Sequence, residues 1–101
     1  MNRVGIGTDK HRLAGGNKLI LGGVAVPSIK GAVGHSDADT LTHAVIDAVL
    51  GAAGMGDIGH HFPDTDPKWK DADSIEMLKK CVEIIRNAGY KPVNIDAVVH
   101  L

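Results

Sequence analysis

The sequence predicts an α+β domain, because strand-like patterns near both ends of the chain flank two segments of helical periodicity. Its 101 residues fit one small domain. Hydrophobic residues make up 44% of the chain, which is enough to form a packed core. The single cysteine, Cys81, excludes an intrachain disulfide framework and is predicted to be a small core residue.

Three segments have the patterns of β-strands. In residues 3–8, valine and isoleucine alternate with small residues, which indicates a short strand. Residues 18–26 form a second strand or, because of the central Gly22-Gly23 pair, a hairpin. Residues 93–101 predict a final strand.

Two helices are predicted between these strands. Residues 36–54 carry apolar side chains three and four positions apart, and Ser36 is the predicted N-cap. The second helix, residues 74–88, follows the N-cap Asp73. The first helix has one apolar stripe, which consists of Leu41, Ala44, Val45, Ala48, Val49 and Ala52. The predicted buried stripe of the second helix consists of Ile75, Leu78, Val82 and Ile85. Residues 57–73 form a polar connection that is long enough to indicate a functional loop.

Charge and hydropathy restrict the partners and the location. The 11 basic and 12 acidic residues leave a net charge of −1, so the chain lacks the basic surface expected for nucleic acid or an anionic membrane. No apolar run approaches the about 20 residues that cross a bilayer, and the N-terminus has no secretion signal. We therefore expect a cytoplasmic protein, although a plastid protein without its transit peptide has the same features.

Asp9, His11 and His43 are the candidate metal ligands. Residues two apart in a strand point to the same face, so Asp9 and His11 are directed at one point. Carboxylate and imidazole groups bind zinc, and a catalytic zinc site commonly has three protein ligands and one open position. Asp39 and Asp47, four residues either side of His43, are candidates to orient its second ring nitrogen. The alternative is a solvated aspartate, a surface histidine and a histidine at the boundary of the helix core.

Two further features indicate phosphate and polyol binding. His35 and Ser36 lie at the start of the first predicted helix, whose N–H groups and dipole favour an anion. Asp37 and Asp39 oppose an anion unless a cation is bound, and the alternative is that Ser36 only caps the helix. The acids in the proline-framed loop 57–66 either bind hydroxyl groups or a second hard cation such as magnesium, or simply form turns.

Five segments together resemble the cyclodiphosphate synthases. Their sequences are GIGTDKHRL, LILGGVAVP, GHSDADTLTHAVIDAVLGAAGMGDIG, HFPDTDPKWKDADS and GYKPVNIDAVV. The resemblance runs from Val4 to Val99, and its most specific part is the HSDAD…H stretch followed by GDIG…FPDTDP. It implies a mixed β-sheet with helices packed on one face and a homotrimer with sites between subunits. It also implies that residues 1–101 are a single domain truncated at its C-terminus.

The resemblance implies a reaction as well. In it, 4-diphosphocytidyl-2-C-methyl-D-erythritol 2-phosphate closes to 2-C-methyl-D-erythritol 2,4-cyclodiphosphate and releases CMP, in non-mevalonate isoprenoid (terpenoid) biosynthesis. Because the substrate supplies its own nucleophile, the enzyme, a phosphorus–oxygen lyase, has only to position the phosphates and neutralise their charge. The implied cofactors are zinc, or a similar divalent metal, and magnesium or manganese on the substrate diphosphate.

Residue roles follow from the same resemblance. Asp9, His11 and His43 are the implied zinc ligands, and His35 is the implied catalytic residue that stabilises the transition state. The implied substrate-binding residues are Asp9, His11, His35, Ser36, Asp57, Ile58, Gly59, Phe62, Pro63, Asp64, Thr65 and Asp66. Two other functions stay open: a non-catalytic zinc-binding or trimer-forming module, which releases no CMP, and a zinc phosphohydrolase, which yields a linear product.

Overall fold

The computed structural model describes residues 2–34 and 36–100. In these ranges, short strands precede the helices along the chain. The elements are β1 (Leu13–Gly15), β2 (Leu19–Leu21), β3 (Val24–Val26), β4 (Lys30–Ala32), α1 (Thr40–Ala52), α2 (Ile58–His61), a 3₁₀ turn (Pro67–Trp69) and α3 (Ser74–Asn87). The predicted α+β class is confirmed. None of the helices in the described part of the chain is both long and apolar enough to span a bilayer.

Two nested antiparallel pairs form the β-structure. β2 pairs with β3, with Leu19 opposite Val26, and β1 pairs with β4 around them. Gly22 and Gly23 join β2 to β3 with φ of 60° and 79°. A two-residue hairpin turn of type I′ needs positive φ at both positions, which glycine adopts without strain. The hairpin predicted from this glycine pair is confirmed.

The terminal segments do not form the predicted strands within the described residues. Residues 3–8 pack on α1 instead, so closely that a β-carbon at Gly5 or Gly7 would collide with the helix backbone. Residues 93–100 are all exposed. A strand needs a hydrogen-bonded neighbour, and neither segment pairs with one among the described residues. The sheet structure described therefore consists of the two antiparallel pairs.

The hydrophobic core lies between α1 and α3, which pack against each other. Its buried members are Ile46, Leu50, Phe62, Met77 and Cys81. Cys81 is fully buried, which confirms its prediction as a core residue. The core depends on side chains from both helices and from the loop between them, so it fixes how these segments lie against one another.

The predicted apolar stripes are displaced from the buried ones. α1 buries Thr42, His43, Ile46 and Leu50, and α3 buries Ser74, Met77, Cys81 and Ile85. In α3, the predicted burial of Ile85 is confirmed. The residues of the predicted α1 stripe are all half-buried, because this helix is apolar on two faces. One face packs on α3, and the other, which carries Ala44 and Ala48, meets the glycines of residues 3–8. Periodicity alone does not say which of two apolar faces is buried more deeply.

The predicted boundaries of the second helix are confirmed to within one residue. Asp73 is the N-cap of α3 and accepts a hydrogen bond from the N–H of Ile75. Gly89, with φ of 91°, ends the helix after Ala88 in the left-handed conformation that favours glycine. The loop before α3 is more regular than predicted, because it contains α2 and the 3₁₀ turn.

Candidate metal centre

The N-terminal segment carries Asp9 and His11 to the side of α1. Gly7 makes the close approach to the helix backbone. Two residues later the side chain of Asp9 is 22% exposed and that of His11 is 17% exposed, whereas the intervening Lys10 is exposed. This alternation is what side chains on two faces of an extended segment produce. His43 lies in the first turns of α1 and is buried.

The structure brings the three candidate metal ligands, Asp9, His11 and His43, together. Oδ2 of Asp9 lies 2.7 Å from Nε2 of His11 and 3.5 Å from Nδ1 of His43. The two facing ring nitrogens are 3.4 Å apart, and all three ligand atoms lie within 4.8 Å of one another. The cluster therefore offers one oxygen and two nitrogens, a set compatible with a divalent metal.

Hydrogen bonding at the edge of the cluster supports a cation between these atoms. Nδ1 of His11 lies 2.9 Å from the carbonyl oxygen of Val33. A carbonyl can only accept, so Nδ1 carries the proton and Nε2 of the neutral ring presents a lone pair to Asp9. Oδ2 of Asp9 is buried and accepts no hydrogen bond within the described residues. Acceptors that face one another without a proton between them repel, and a bound cation removes that repulsion.

The electrostatic environment keeps Asp9 in its charged form. Burial raises the pKa of Asp9, but contact with His43, the positive charge that His11 and His43 carry when they are protonated, and a hydrogen bond from Thr40 together outweigh burial. The net result is a pKa below the ordinary value of 3.8. Asp9 is therefore a carboxylate at neutral pH, the form that binds a metal.

The prediction that Asp39 and Asp47 orient His43 was wrong. Nε2 of His43 instead lies 2.7 Å from Oγ of Ser74 and 3.1 Å from Oγ of Ser36. The aspartates four residues away on the helix are occupied elsewhere. Asp39 caps α1, and Asp47 accepts a hydrogen bond of 2.7 Å from the N–H of Ile58. A carboxylate four residues from a histidine does not bond to its ring when backbone N–H groups lie nearer to that carboxylate.

Ser74, which is fully buried beside His43, was not among the predicted site residues. It is 31 residues from His43 along the chain and touches it only because α3 packs on α1. Its local pattern indicated the start of a helix and nothing more. The carbonyl of Val33 was missed for a similar reason, since any residue type supplies that oxygen.

The candidate phosphate site divides between described and undescribed residues. His35, the predicted catalytic residue, lies outside the described residues. Ser36 is described, and the prediction that it caps the first helix was wrong, because α1 begins at Thr40 with Asp39 as its N-cap. Asp39 accepts the N–H of Thr42, so this helix end already has an acceptor. The hydroxyl group of Ser36 instead makes a hydrogen bond with Nε2 of His43.

The start of the candidate polyol loop is tied to α1. The bond from Ile58 to Asp47 attaches it to α1 four residues, about one helical turn, beyond His43. Asp57 caps α2 by accepting the N–H of His60 at 2.8 Å, and Gly59 is exposed in the same short helix.

The rest of this loop contains both buried and exposed residues. Phe62 is buried and packs edge-to-face on Trp69, with ring centroids 4.9 Å apart. Pro63 begins a turn in which its carbonyl accepts the N–H of Asp66 at 3.1 Å. Asp64 and Thr65 are exposed at this turn, and Asp66 caps the 3₁₀ turn.

Comparison with known proteins relates this geometry to a family. A sequence profile of the YgbB family matches residues 2–101. The 2-C-methyl-D-erythritol 2,4-cyclodiphosphate synthase of Salinibacter ruber is 62% identical over 99 residues, an alignment that covers 98% of this chain and 63% of the relative. The protein of that name from Chlorobaculum tepidum is 59% identical with the same coverage. The chain thus spans less than two thirds of the length of these relatives.

Solved structures agree with the sequence matches. A CDP-bound form of 2C-methyl-D-erythritol-2,4-cyclodiphosphate synthase superposes with a TM-score of 0.80 at 46% identity, covering 86% of this chain and 58% of that one. The IspF protein of Plasmodium falciparum, in a CDP complex, gives a TM-score of 0.65 at 32% identity over 84% of this chain and 51% of that one. With a profile that matches nearly every residue and relatives at this identity, the chain belongs to the YgbB family.

Proposed function

We propose that this chain takes part in the conversion of 4-diphosphocytidyl-2-C-methyl-D-erythritol 2-phosphate to 2-C-methyl-D-erythritol 2,4-cyclodiphosphate with release of CMP. The observation that carries the proposal is the cluster of Asp9, His11 and His43, whose three ligand atoms lie within 4.8 Å of one another. This cluster occurs in a chain 62% identical to a relative named for the synthase. The activity makes the protein a lyase of non-mevalonate isoprenoid biosynthesis.

The three ligands suit chemistry at a phosphate. A bound divalent metal, zinc in this proposal, supplies Lewis acidity and positive charge to phosphate oxygens. Asp9, His11 and His43 hold it through Oδ2, Nε2 and Nδ1, the atoms that face one another. Only Asp9 among them is anionic, so a divalent cation keeps a net positive charge with which to attract the substrate. The proposal includes magnesium or manganese on the substrate diphosphate, which would add to the charge neutralisation.

The substrate is proposed to lie between this cluster and the loop that follows α1. His35 and Ser36 are proposed to hold its phosphates, with His35 stabilising the transition state. Asp57, Ile58, Gly59, Phe62, Pro63, Asp64, Thr65 and Asp66 are proposed to hold the methylerythritol portion. The bond between Asp47 and Ile58 supports this arrangement, because it ties the loop to the helix that carries His43. Phe62 is buried, so its proposed contribution is to anchor the loop rather than to present a ring to the substrate.

The proposed assembly is a homotrimer, with residues 1–101 as one domain of each subunit. Exposed apolar side chains support burial against further protein: Val4 is 93% exposed, Ile6 86% and Val98 79%. The CDP-bound related structure supports a cytidyl substrate for this chain. A cytoplasmic location, expected from the sequence, belongs to the same proposal.

The test is to incubate the zinc-loaded 101-residue chain with the diphosphocytidyl substrate. CMP is measured by chromatography and the phosphorus products by ³¹P NMR. We expect CMP and the cyclic diphosphate in equal amounts, and the loss of both on chelation or in His43→Ala. His60→Ala is the matched control, because His60 is exposed and lies outside the cluster.

Other outcomes separate the remaining functions. A linear phosphate product would show hydrolysis and contradict the proposed ring closure. Bound zinc without CMP release would contradict catalysis by this chain and indicate a zinc-binding module.

A further inference from the structure

The side of His43 that faces away from the cluster makes a chain of hydrogen bonds. Its Nε2 lies 2.7 Å from Oγ of Ser74, and Oγ of Ser74 in turn makes a short hydrogen bond with Oδ1 of Asp37. Ser74 is fully buried and His43 is 8% exposed. Water therefore has little access to these groups, and the protein itself determines where their protons lie.

The direction of donation in these hydrogen bonds follows from the number of protons available. Asp37 accepts from three donors: the hydroxyl of Ser74, the N–H of Ser74 at 2.9 Å and the N–H of Asp39 at 3.1 Å. A carboxylate with three donors around it acts as an acceptor only. Ser74 has one hydroxyl proton and gives it to Asp37, so its oxygen is left to accept. The proton between Ser74 and His43 must then come from Nε2 of the imidazole.

We propose that Asp37 and Ser74 are a positioning pair that holds His43 in the tautomer with its proton on Nε2 and its lone pair on Nδ1. Nδ1 is the nitrogen that faces Oδ2 of Asp9 at 3.5 Å and Nε2 of His11 at 3.4 Å. The pair thus presents the ligand nitrogen to the cluster before a metal arrives. This inference rests on the metal-binding part of the proposed function.

The same pair fixes the position of the ring. Ser74 is the first residue of α3, and Asp37 lies in the segment that leads into α1. The N–H of Asp37 also donates to the carbonyl of Ala72 at 3.1 Å. Asp37 and Ser74 therefore join the starts of the two helices that form the core. Outer-shell groups of this kind typically change metal affinity about 10–100-fold when they are removed.

Ser36 does not replace Ser74 in this role. Its hydroxyl is 3.1 Å from Nε2 of His43, and it also accepts a long hydrogen bond of 3.4 Å from the N–H of Ala38. Among the described residues no carboxylate takes the hydroxyl proton of Ser36, so this hydroxyl can either donate to His43 or accept from it and selects neither tautomer. The Asp37–Ser74 pair is directional, and Ser36 is not.

The experiment measures zinc affinity and the position of the His43 proton in the 101-residue chain. Zinc affinity is obtained by competition with a chromophoric chelator. The tautomer is read from long-range ¹H–¹⁵N spectra of the metal-free protein, with His43 assigned from its absence in His43→Ala. We expect the proton on Nε2, and zinc affinity about 10–100-fold lower in Ser74→Ala. Ser28→Ala, the same chemical change at an exposed serine, should bind zinc like the wild type.

Asp37→Asn provides a second variant that removes charge with little change in shape. We expect it to lower zinc affinity and to mix the two His43 tautomers, because an amide holds the Ser74 proton less firmly. A metal-free wild type with the proton on Nδ1 would overturn the proposal. So would unchanged zinc affinity in both Ser74→Ala and Asp37→Asn.

Two further results keep this proposal separate from the proposed function. If Ser74→Ala fails to fold, the proposal is tested by the His43 tautomer of the wild type and by the zinc affinity of Asp37→Asn. If the wild type binds no zinc, the proposed function fails, while the tautomer still tests the positioning pair.

Discussion

Asp39 and Asp9 are two aspartates with buried carboxylate oxygens and opposite surroundings. Asp39 is fully buried, and its carboxylate accepts the N–H groups of Gly22 at 2.9 Å and Gly23 at 2.7 Å. It also accepts the N–H and the hydroxyl of Thr42 at 3.0 and 2.8 Å. Oδ2 of Asp9 accepts no hydrogen bond within the described residues and faces two imidazole nitrogens instead.

The difference separates a structural acid, Asp39, from a candidate metal ligand, Asp9. The donors around Asp39 stabilise its charge and attach the hairpin turn to the start of α1, so this carboxylate needs no cation. With both rings neutral, the neighbours of Asp9 include acceptors, and a cation between them removes the repulsion between these acceptors and its carboxylate. The two aspartates are therefore expected to respond in opposite ways to mutation and to metal.

The largest expected effect is on stability. Asp39→Asn places an amide group among four donors, so at least one N–H group loses its acceptor. We expect the free energy of unfolding to fall by about 3 kcal/mol or more in urea titrations. Asp9→Asn, the matched change, should alter the metal-free protein by less than about 1 kcal/mol. Equal losses in the two variants would contradict the distinction between them.

The second largest expected effect is on the affinity of the chain for zinc. His43→Ala removes a ligand, so zinc binding should weaken by more than the about 10–100-fold that follows loss of an outer-shell partner. Competition with a chelator measures this effect. His60→Ala changes an exposed histidine outside the cluster and should leave zinc affinity unaltered. Unchanged zinc content in His43→Ala would refute the assignment of this ligand.

Gly7→Ala tests how the N-terminal segment delivers Asp9. A β-carbon at this position collides with the carbonyl of Ala44, so the segment must shift. We expect a loss of about 1–3 kcal/mol in stability, together with weaker zinc binding. Gly15→Ala is the control, because no atom lies within 4 Å of a β-carbon there. Similar zinc affinities in the two variants would show that the close approach at Gly7 does not place the cluster.

Cys81 provides a third kind of buried titratable group, one with apolar neighbours. Burial raises the pKa of its thiol from 9.0 to about 11. As the pH rises, the thiol ionises in the unfolded chain before it ionises in the folded one. The contribution of the neutral Cys81 thiol to the free energy of unfolding is therefore complete below pH 9 and is lost as the pH rises towards 11. The expected loss is about 1 kcal/mol by pH 10. Cys81→Ala should flatten the pH dependence between 8 and 10, and an equally steep curve would contradict this.

What the sequence could predict depends on how far away each partner lies. The Gly22-Gly23 turn and the Asp73 and Gly89 helix boundaries are set by neighbours in the chain, and all three predictions are confirmed. The candidate metal ligands were assigned from the family resemblance, which the spacing of two between Asp9 and His11 supports, and only the fold shows that His43 joins them.

Partners that are remote in sequence could not be predicted. Neither the serine that contacts His43 nor the glycines that bind Asp39 have a local signal, since tertiary packing alone brings them there. The terminal strands were overpredicted for a related reason. Alternation indicates that a segment can pair, but it does not supply the partner.

The most direct test of the central claim is a zinc titration followed by thermal unfolding, with the wild type beside Asp9→Asn. If Asp9, His11 and His43 form a metal site, zinc binds the wild-type chain with one ion per chain and raises its melting temperature, because the metal binds only the folded state. Asp9→Asn should fold as well as the wild type and show little or no rise. Equal zinc-dependent stabilisation of both proteins, or none in the wild type, would contradict the account.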